Sequence, residues 1–237
     1  MKWGRVSVLL PLSLLATALF GVPAVVSGMF DRSGQWPRRI AGAWGRALLG
    51  LYGVRVVVTG GENLPRGPAV YAANHSSALD IFIVFGHLPT DFRIVHKRSL
   101  YFAPIVGQFL FLGGHIGVDR SNAFRARKSL EQAADRIRGG VSVAVFPEGT
   151  RSRHGNLEPF KRGSFVLAIR AGVPVVPVSL AGVRRVVPQG LCSVSPGTVT
   201  LTIHPPVPTA GRSPEEATLL ASEIRATVAS ATAGCTA

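Results

Sequence analysis

The segment VSVAVFPEGTR, residues 141–151, decides the fold class of this chain. Residues 141–146 form a short apolar run of the kind that fills a buried strand. A proline and a glycine follow at once and favour a tight turn directly beyond the strand end. In open α/β sheets, ligands bind in the crevice beyond the carboxyl ends of the strands. Glu148 and Arg151 are therefore candidate ligand-binding residues, and a surface turn with an incidental ion pair is the alternative.

Strand-like and helix-like stretches alternate on both sides of this segment from residue 54 onward. The predicted strands are 54–59, 69–73, 92–95, 115–118, 141–146, 173–180 and 198–204. The predicted helices are 79–85, 122–138, 165–170 and 213–230. Ser121 or Asn122 is suited to cap the second of these helices. The alternation predicts an α/β fold: a single layered domain with a mixed, largely parallel sheet flanked by helices.

A second segment, NHSSALD at residues 74–80, places His75 five positions before Asp80. Five residues along a continuous helix amount to about 500°, so these side chains can meet only if the chain turns between them. Ser76 or Ser77 is suited to cap a helix that begins here, which would put Asp80 in its first turn. This arrangement predicts a histidine base whose tautomer is fixed by a carboxylate.

Interpretations of the same segment without a catalytic role remain open. His75 can be an ordinary polar loop residue, and Asp80 can serve the dipole of the following helix. A Ser-His-Asp triad with Ser76 or Ser77 is disfavoured, because neighbours in sequence point apart and no G-x-S-x-G elbow is present.

The beginning of the chain predicts attachment to a membrane. Residues 6–30 carry no charged side chain and would span about 37 Å as a helix, against a hydrocarbon core of about 30 Å. We interpret them as a retained anchor, with a cleaved signal peptide as the alternative. Pro11 and Pro23 would kink or interrupt a spanning helix, so crossing and insertion into one leaflet both remain open. Residues 36–52 predict an amphipathic helix, either at the bilayer surface or packed in the core.

The composition narrows the possible partners. Lys and Arg number 26 against 12 acidic residues, which gives a net charge of +14 and favours anionic partners such as nucleic acids, bilayers or phosphorylated molecules. Nucleic acid is not expected, because no zinc-finger, RNP-type or helix-turn-helix motif is present. Nucleotide-binding glycine loops are absent as well. The two cysteines lie far apart outside any metal-binding motif, so we expect no metal and no tightly bound cofactor.

Four blocks of the sequence, in order and approximate spacing, resemble the glycerolipid acyltransferase family. They are residues 74–80 with the H-x₄-D motif, 114–120, 146–152 and 173–178. The resemblance covers roughly residues 54–205 and is greatest to the bacterial 1-acylglycerol-3-phosphate acyltransferases. It implies a membrane-associated part at 1–53 and an acyltransferase domain at 54–237.

The resemblance also implies a reaction. An acyl thioester, on coenzyme A or acyl carrier protein, would give its acyl chain to the sn-2 hydroxyl of lysophosphatidate and form phosphatidate. His75 would be the general base, and Asp80 would orient it. The residues implied to hold the acceptor phosphate are Lys97, Arg120 and Arg151. Those implied to shape the acceptor site are Glu148, Gly149 and Thr150, while Pro174 would wall the acyl region unless its block is simply a buried strand.

Some points of function stay open at this stage. Gly117 stands where a bulkier residue is usual in the family, which predicts a wider pocket. The acceptor could instead be glycerol 3-phosphate, another lysophospholipid or a lyso-aminolipid. A non-catalytic membrane lipid-binding protein is the alternative from another class, although pure binding needs no base. The expected location is the cytoplasmic (inner) membrane of the cell, with the catalytic domain at the cytosolic face.

Overall fold

A computed structural model describes residues 2–31, 33–119, 123–151, 157–188 and 194–232 of the chain. These residues form eight α-helices and seven β-strands. The helices are α1 (Lys2–Phe30), α2 (Gln35–Tyr52), α3 (Leu79–His87), α4 (Val106–Leu112), α5 (Ala123–Arg138), α6 (Gly163–Ala171), α7 (Val183–Val186) and α8 (Ala217–Thr232). The strands are β1 (Val54–Thr59), β2 (Val70–Ala73), β3 (Arg93–Lys97), β4 (Ile116–Val118), β5 (Val143–Val145), β6 (Val175–Ala181) and β7 (Gly197–Ile203).

All seven strands belong to one sheet in the order β1-β7-β6-β2-β5-β3-β4. The central strand β2 is parallel to β5 on one side and to β6 on the other. The parallel part continues through β3 and β4, whereas β7 is antiparallel to β6 and carries β1 parallel to itself. Five parallel strands therefore end at one edge, called here the carboxyl edge, and the prediction of a mixed, largely parallel sheet is confirmed.

Helices cover both faces of the sheet, which explains why the central strands are buried along their whole length. On one face Leu49 of α2 and Ile83 of α3 belong to a core that includes Tyr71. On the other face Ile137 of α5 and Leu220 of α8 belong to a second core with α6. Each fully buried side chain of this kind stabilises the fold by about 1.5–3 kcal/mol. The two cores fix β2 between its neighbours and thereby fix the loop that follows it.

The helix α1 runs back along α2 as a hairpin. Near one end Ser13 Oγ lies 2.8 Å from the Tyr52 hydroxyl, and further along Trp44 Nε1 donates a hydrogen bond to Thr17 Oγ1 at 3.2 Å. Gly28 near the other end packs closely against the start of α2. The expectation that the two prolines interrupt this helix is wrong, because α1 is continuous over 29 residues and includes both.

The outer face of α1 is apolar and largely uncovered. Residues Val8–Phe30 are, within the described part of the chain, the one helical stretch long and apolar enough to cross a membrane by length and composition. Leu15 and Leu19 are 64% and 68% exposed. By contrast, α2 buries Leu48, Leu49 and Tyr52, in agreement with the core-packing alternative for residues 36–52.

The predicted element bounds agree with the structure to within two residues for every strand. The helix predicted at 213–230 begins as α8 only at Ala217, because a 3-10 helix occupies Pro214–Glu216. The short helices α4 and α7 were not predicted. The expected cap of α5 by Ser121 or Asn122 lies outside the described residues.

We predict that two glycines of α2 respond oppositely to alanine. A Cβ atom on Gly45 would lie 2.6 Å from the Phe82 carbonyl oxygen of α3, whereas none of the described atoms lies within 4 Å of one on Gly50. Gly45→Ala should lower the free energy of unfolding by about 1–3 kcal/mol through overpacking. Gly50→Ala should raise it by about 0.5–1 kcal/mol because alanine is the better helix former. Denaturant unfolding in neutral detergent measures both, and equal responses would contradict the α2–α3 packing.

Candidate active site

The candidate site is built on the loop between β2 and α3, at the centre of the carboxyl edge. Asn74 directly follows β2 and is buried. Its side-chain amide donates to the Leu180 carbonyl oxygen at 3.1 Å, and its Oδ1 accepts the Leu180 N–H at 2.7 Å. These two bonds continue the pairing of β2 with β6 by one side chain. They hold the start of the loop in place, so His75 leaves the sheet in a fixed direction.

Asp80 gathers the loop around one carboxylate oxygen. Its Oδ2 lies 2.8 Å from His75 Nδ1 and accepts the N–H groups of Ser76 and Ser77 at 2.6 and 2.8 Å. Asp80 is fully buried and sits in the first turn of α3, where the helix dipole favours a negative charge. Ser77 Oγ accepts the Leu79 N–H at 3.2 Å. That serine therefore serves the helix start, and the disfavoured Ser-His-Asp triad gains no support.

The imidazole of His75 is fixed on its other sides as well. Its ring stacks on Phe146 at the end of β5, with ring centroids 4.3 Å apart and planes 26° apart. An ionised carboxylate can only accept, so Asp80 requires the proton of a neutral His75 on Nδ1. The other nitrogen, Nε2, has no hydrogen-bond partner among the described residues and is left with its lone pair. Asp80 and Phe146 thus hold a neutral imidazole in the tautomer that acts as a base.

Glu148 is hydrogen-bonded to the backbone of His75 and not to its imidazole ring. It is 2% exposed, and its Oε1 and Oε2 accept the backbone N–H groups of His75 and Glu158 at 2.5 and 3.2 Å. Burial raises the pKa of Glu148, while these two N–H groups oppose the rise. Each of its two oxygens thus already accepts a backbone N–H group, and the expectation that Glu148 also meets acceptor hydroxyls stays a prediction. It joins the turn after β5 to the loop after β2.

The turn after β5 brings polar groups to the surface beside this loop. Gly149 has φ of 76°, a left-handed conformation that glycine adopts without strain, and its N–H donates to the Phe146 carbonyl oxygen at 3.0 Å. Thr150 and Arg151 follow and are exposed. Arg151 therefore stands one strand away from His75 with its guanidinium open to solvent.

The remaining predicted site residues are distributed unevenly. Lys97 is exposed at the end of β3, on the carboxyl edge and two strands from β2. Arg120 lies outside the described residues. Pro174 is not brought to the site, because its carbonyl oxygen accepts the Val70 N–H at the beginning of β2, on the opposite edge of the sheet. Its position agrees with the alternative of a simple strand start, and the acyl-wall role of Pro174 stays a prediction.

The second block does not open the pocket that Gly117 suggested. A Cβ atom on Gly117 would lie 2.4 Å from the ring of Tyr101, so the tyrosine occupies that space. The Tyr101 hydroxyl also donates to the His115 carbonyl oxygen at 2.8 Å and accepts the Gly117 N–H at 3.1 Å. His115 is buried, and its Nδ1 accepts the Ile94 N–H at 2.9 Å. His115 thus joins β3 to the start of β4, and Tyr101 joins the 3-10 helix Arg98–Phe102 to β4.

Comparison with known proteins assigns this geometry to a family. A family model described as acyltransferase matches residues 55–181, which is more than half of the chain. The chain belongs to the acyltransferase family. Both the β2–α3 loop with His75 and Asp80 and the turn with Glu148 and Arg151 lie inside the matched segment.

Two relatives of this acyltransferase are 1-acyl-sn-glycerol-3-phosphate acyltransferases. It is 37% identical over 206 residues to a 1-acyl-sn-glycerol-3-phosphate acyltransferase of Chlamydomonas reinhardtii, covering 85% of this chain and 61% of that protein. It is 36% identical over 177 residues to the human 1-acyl-sn-glycerol-3-phosphate acyltransferase alpha, covering 74% and 62%. The chain thus spans about three fifths of these relatives.

A solved structure matches the whole fold of the acyltransferase. It is the crystal structure of the 1-acyl-sn-glycerophosphate acyltransferase PlsC from Thermotoga maritima, with a TM-score of 0.78 and 29% sequence identity. The match covers 98% of this chain and 96% of that chain, so the sheet and its helices share one architecture from end to end.

Sequence reasoning missed three features of the site in the acyltransferase. They are the pairing of Asn74 with β6, the stacking of Phe146 on His75, and the backbone contacts of Glu148. Two signals in the sequence could have indicated the first two features once a parallel sheet was predicted. They are the asparagine directly after a buried strand and the aromatic residue at the end of the neighbouring strand. The contacts of Glu148 depend on strand order, which the sequence does not encode locally.

We predict that Glu148→Ala lowers the free energy of unfolding by about 1–3 kcal/mol, because it leaves two partly buried N–H groups without this acceptor. Glu158→Ala is the matched control, since Glu158 contributes its backbone N–H to this contact and not its side chain. Denaturant unfolding compares the two, and equal losses would contradict the bracing role of Glu148.

The raised pKa of Glu148 makes the free energy of unfolding depend on pH. The folded state holds the Glu148 proton more readily than the unfolded chain, because the pKa is raised above the ordinary 4.5. Its contribution to stability is thus complete below about pH 4.5 and is lost as pH rises through the raised pKa. The wild type should lose stability relative to Glu148→Gln over that interval, and a shift in the other direction would show that the pKa is lowered.

Proposed function

We propose that the chain is a membrane-bound 1-acylglycerol-3-phosphate O-acyltransferase. It transfers an acyl chain from an acyl thioester, carried by coenzyme A or acyl carrier protein, to the sn-2 hydroxyl of lysophosphatidate, and the product is phosphatidate. The observation that carries this proposal is the buried Asp80 carboxylate on His75 Nδ1, which leaves Nε2 free at a carboxyl edge rich in cations. The activity by which the relatives are named supports the choice of lysophosphatidate as acceptor.

The geometry supports a general-base reaction. The acceptor hydroxyl gives its proton to His75 Nε2 while its oxygen attacks the thioester carbonyl carbon. Asp80 stabilises the imidazolium that forms, because its negative charge lies 2.8 Å from Nδ1. When the C–S bond breaks, the leaving thiolate takes this proton, so the reaction ends with a neutral histidine and a free thiol. A positioned base of this kind typically contributes about 10²–10⁴-fold to the rate.

Cations at the carboxyl edge are suited to the acceptor phosphate. Arg151 presents a planar fork of donors that matches a phosphate group, and Lys97 adds a second positive charge. Thr150 lies beside Arg151 in the same turn. Arg120 keeps its proposed role from the family resemblance alone.

The helix α1 supports attachment to one leaflet of a bilayer. It packs along α2, and α2 belongs to the catalytic core, so α1 lies against the domain over most of its length instead of projecting away from it. Its exposed leucines then face lipid. We propose residues 1–53 as the membrane-attached part, with α2 shared between both parts, and 54–237 as the catalytic domain. We propose the cytosolic face of the cytoplasmic membrane as the location of that domain, because the proposed thioester donors are soluble.

We predict that His75→Ala lowers the turnover of lysophosphatidate by about 10²–10⁴-fold, because the base is lost. His87→Ala is the matched control, since His87 ends the same helix α3 at the opposite edge of the sheet. The measurement is thiol release by the purified chain with acyl-CoA or acyl carrier protein as donor.

The acceptor in this assay is varied to test the substrate. Lysophosphatidate should react faster than monoacylglycerol, which lacks the phosphate, and Arg151→Ala should narrow that difference. Full activity of His75→Ala would refute the catalytic assignment. Preference for an acceptor without phosphate would refute the proposed substrate while leaving the base in place.

We predict that Leu19→Asp weakens binding to neutral lipid vesicles at least about ten-fold, because a charge on the apolar face of α1 must enter lipid. Leu219→Asp is the matched control: Leu219 on α8 is 65% exposed, close to the 68% of Leu19, and lies on the other face of the sheet. Vesicle flotation measures both variants, and equal binding would contradict α1 as the lipid-facing element.

A further inference from the structure

A cavity of about 450 Å³ lies between the first half of α2 and the link from α3 to β3, and we call it the arginine cavity. Its lining residues are Gln35, Arg38, Arg39, Gly42, Arg46, Pro89, Thr90 and Asp91. It is distant from the candidate active site: His75 and Asp80 stand at the beginning of α3, whereas the cavity lies beyond its end. Nine helical residues separate these ends by about 13 Å.

The arginine cavity carries more positive charge than the protein neutralises. Three arginines line it, and Asp91 is the one acid among the lining residues. Asp91 is half exposed and is shared between Arg38 and Arg93, at 3.4 and 2.9 Å. Burial lowers the pKa of Arg38; Asp91 opposes this, and the neighbouring arginines add smaller lowering contributions by repulsion. An anion in the cavity would relieve that repulsion.

Two guanidinium groups converge on one point of the cavity wall. Gly42 has no side chain, and the place where its Cβ would stand lies 3.1 Å from the Phe85 carbonyl oxygen, 3.5 Å from Arg46 Nη1 and 3.6 Å from Arg38 Nη1. Arg38 uses Nε and Nη2 to bind the Thr90 carbonyl oxygen, and Arg46 donates from Nη1 to the Gly86 carbonyl oxygen. These bonds hold both side chains in place and leave other N–H groups of each fork without a protein acceptor among the described residues. Such a pair is suited to a phosphate group.

The mouth of the cavity is placed for a lipid headgroup. Met29 and Phe30, which end the exposed apolar face of α1, are 65% and 83% exposed. Trp36 in the first turn of α2 is also exposed, and the guanidinium of Arg39 stacks over its ring at 5.3 Å. Exposed aromatics flanked by arginines are typical of the lipid–water interface. A phosphate in the cavity would thus lie at the depth of the headgroups.

We propose that the arginine cavity binds the phosphate group of an anionic phospholipid in the bilayer to which α1 is attached. This lipid is a bound neighbour and not a substrate, because the cavity lies at the edge of the sheet opposite His75. Its binding fixes the end of the α1–α2 hairpin at the headgroup layer. The proposal rests on the membrane attachment of α1 but not on the identity of the acyl acceptor.

The test is thermal unfolding of the full chain in neutral detergent during titration with short-chain phosphatidylglycerol. A ligand that binds the folded state raises the midpoint temperature. Wild type should show a saturable rise that phosphatidylcholine does not produce. Arg39→Lys/Arg46→Lys keeps the charge but removes the planar forks of two of the three lining arginines, and it leaves Arg38 in place because Arg38 also holds the Thr90 carbonyl oxygen. It should raise the half-saturating concentration at least about five-fold. Arg127→Lys/Arg138→Lys on α5, across the sheet, is the matched control and should behave as wild type.

Further arms of the test separate the competing explanations. If the double variant does not fold, Arg39→Lys alone, at a side chain that stacks over the Trp36 ring, should give a smaller shift of the same sign. An unchanged titration curve for the double variant would overturn the proposal. Loss of the temperature rise with Arg151→Lys instead would assign the lipid to the active site and overturn it as well. An equal, arginine-dependent rise with inorganic phosphate would identify a soluble-anion site and overturn the lipid assignment.

Discussion

One carboxylate oxygen organises the candidate active site. Asp80 Oδ2 accepts hydrogen bonds from the Ser76 and Ser77 backbones and lies beside His75 Nδ1, so a single buried charge shapes the loop and orients the base. Charge-assisted bonds of this kind are about twice as strong as neutral ones. The carboxylate stays buried because the first turn of α3 and three N–H donors surround it. Loss of that charge would release the loop and the imidazole together.

The sheet supplies the rigid frame on which this loop depends. β2 lies between β6 and β5, and each neighbour sends one support to the loop: Leu180 of β6 binds Asn74, and Glu148 after β5 binds the His75 N–H. Helices bury both faces of these strands, so neither support can move without disturbing a core. The loop that carries His75 is thus held from both neighbouring strands, while Lys97 and Arg151, the cations proposed for the acceptor site, are exposed at the same edge.

Local patterns in the sequence predicted much of this arrangement. The apolar runs bounded by proline and glycine predicted the strands, and the H-x₄-D spacing predicted a turn that brings His75 to Asp80. Long-range pairing was beyond those patterns. The sequence indicated Glu148 only as a ligand-binding residue, because its contact with the His75 N–H joins segments that only the strand order brings near. The position of Pro174 was beyond these patterns as well, since its block begins a strand at the edge of the sheet opposite His75. Gly117 suggested a void because Tyr101, which fills it, is sixteen residues away.

The proposed role of His75 depends most directly on which nitrogen of its imidazole carries the proton. Nitrogen-15 NMR of the full chain with labelled histidine, above the pKa of the imidazole, reports which nitrogen of His75 carries the proton. If Asp80 orients the base, neutral His75 is protonated at Nδ1 and bare at Nε2, and Asp80→Ala removes this preference. A neutral His75 that carries its proton on Nε2, or that exchanges freely between both nitrogens, would contradict the account.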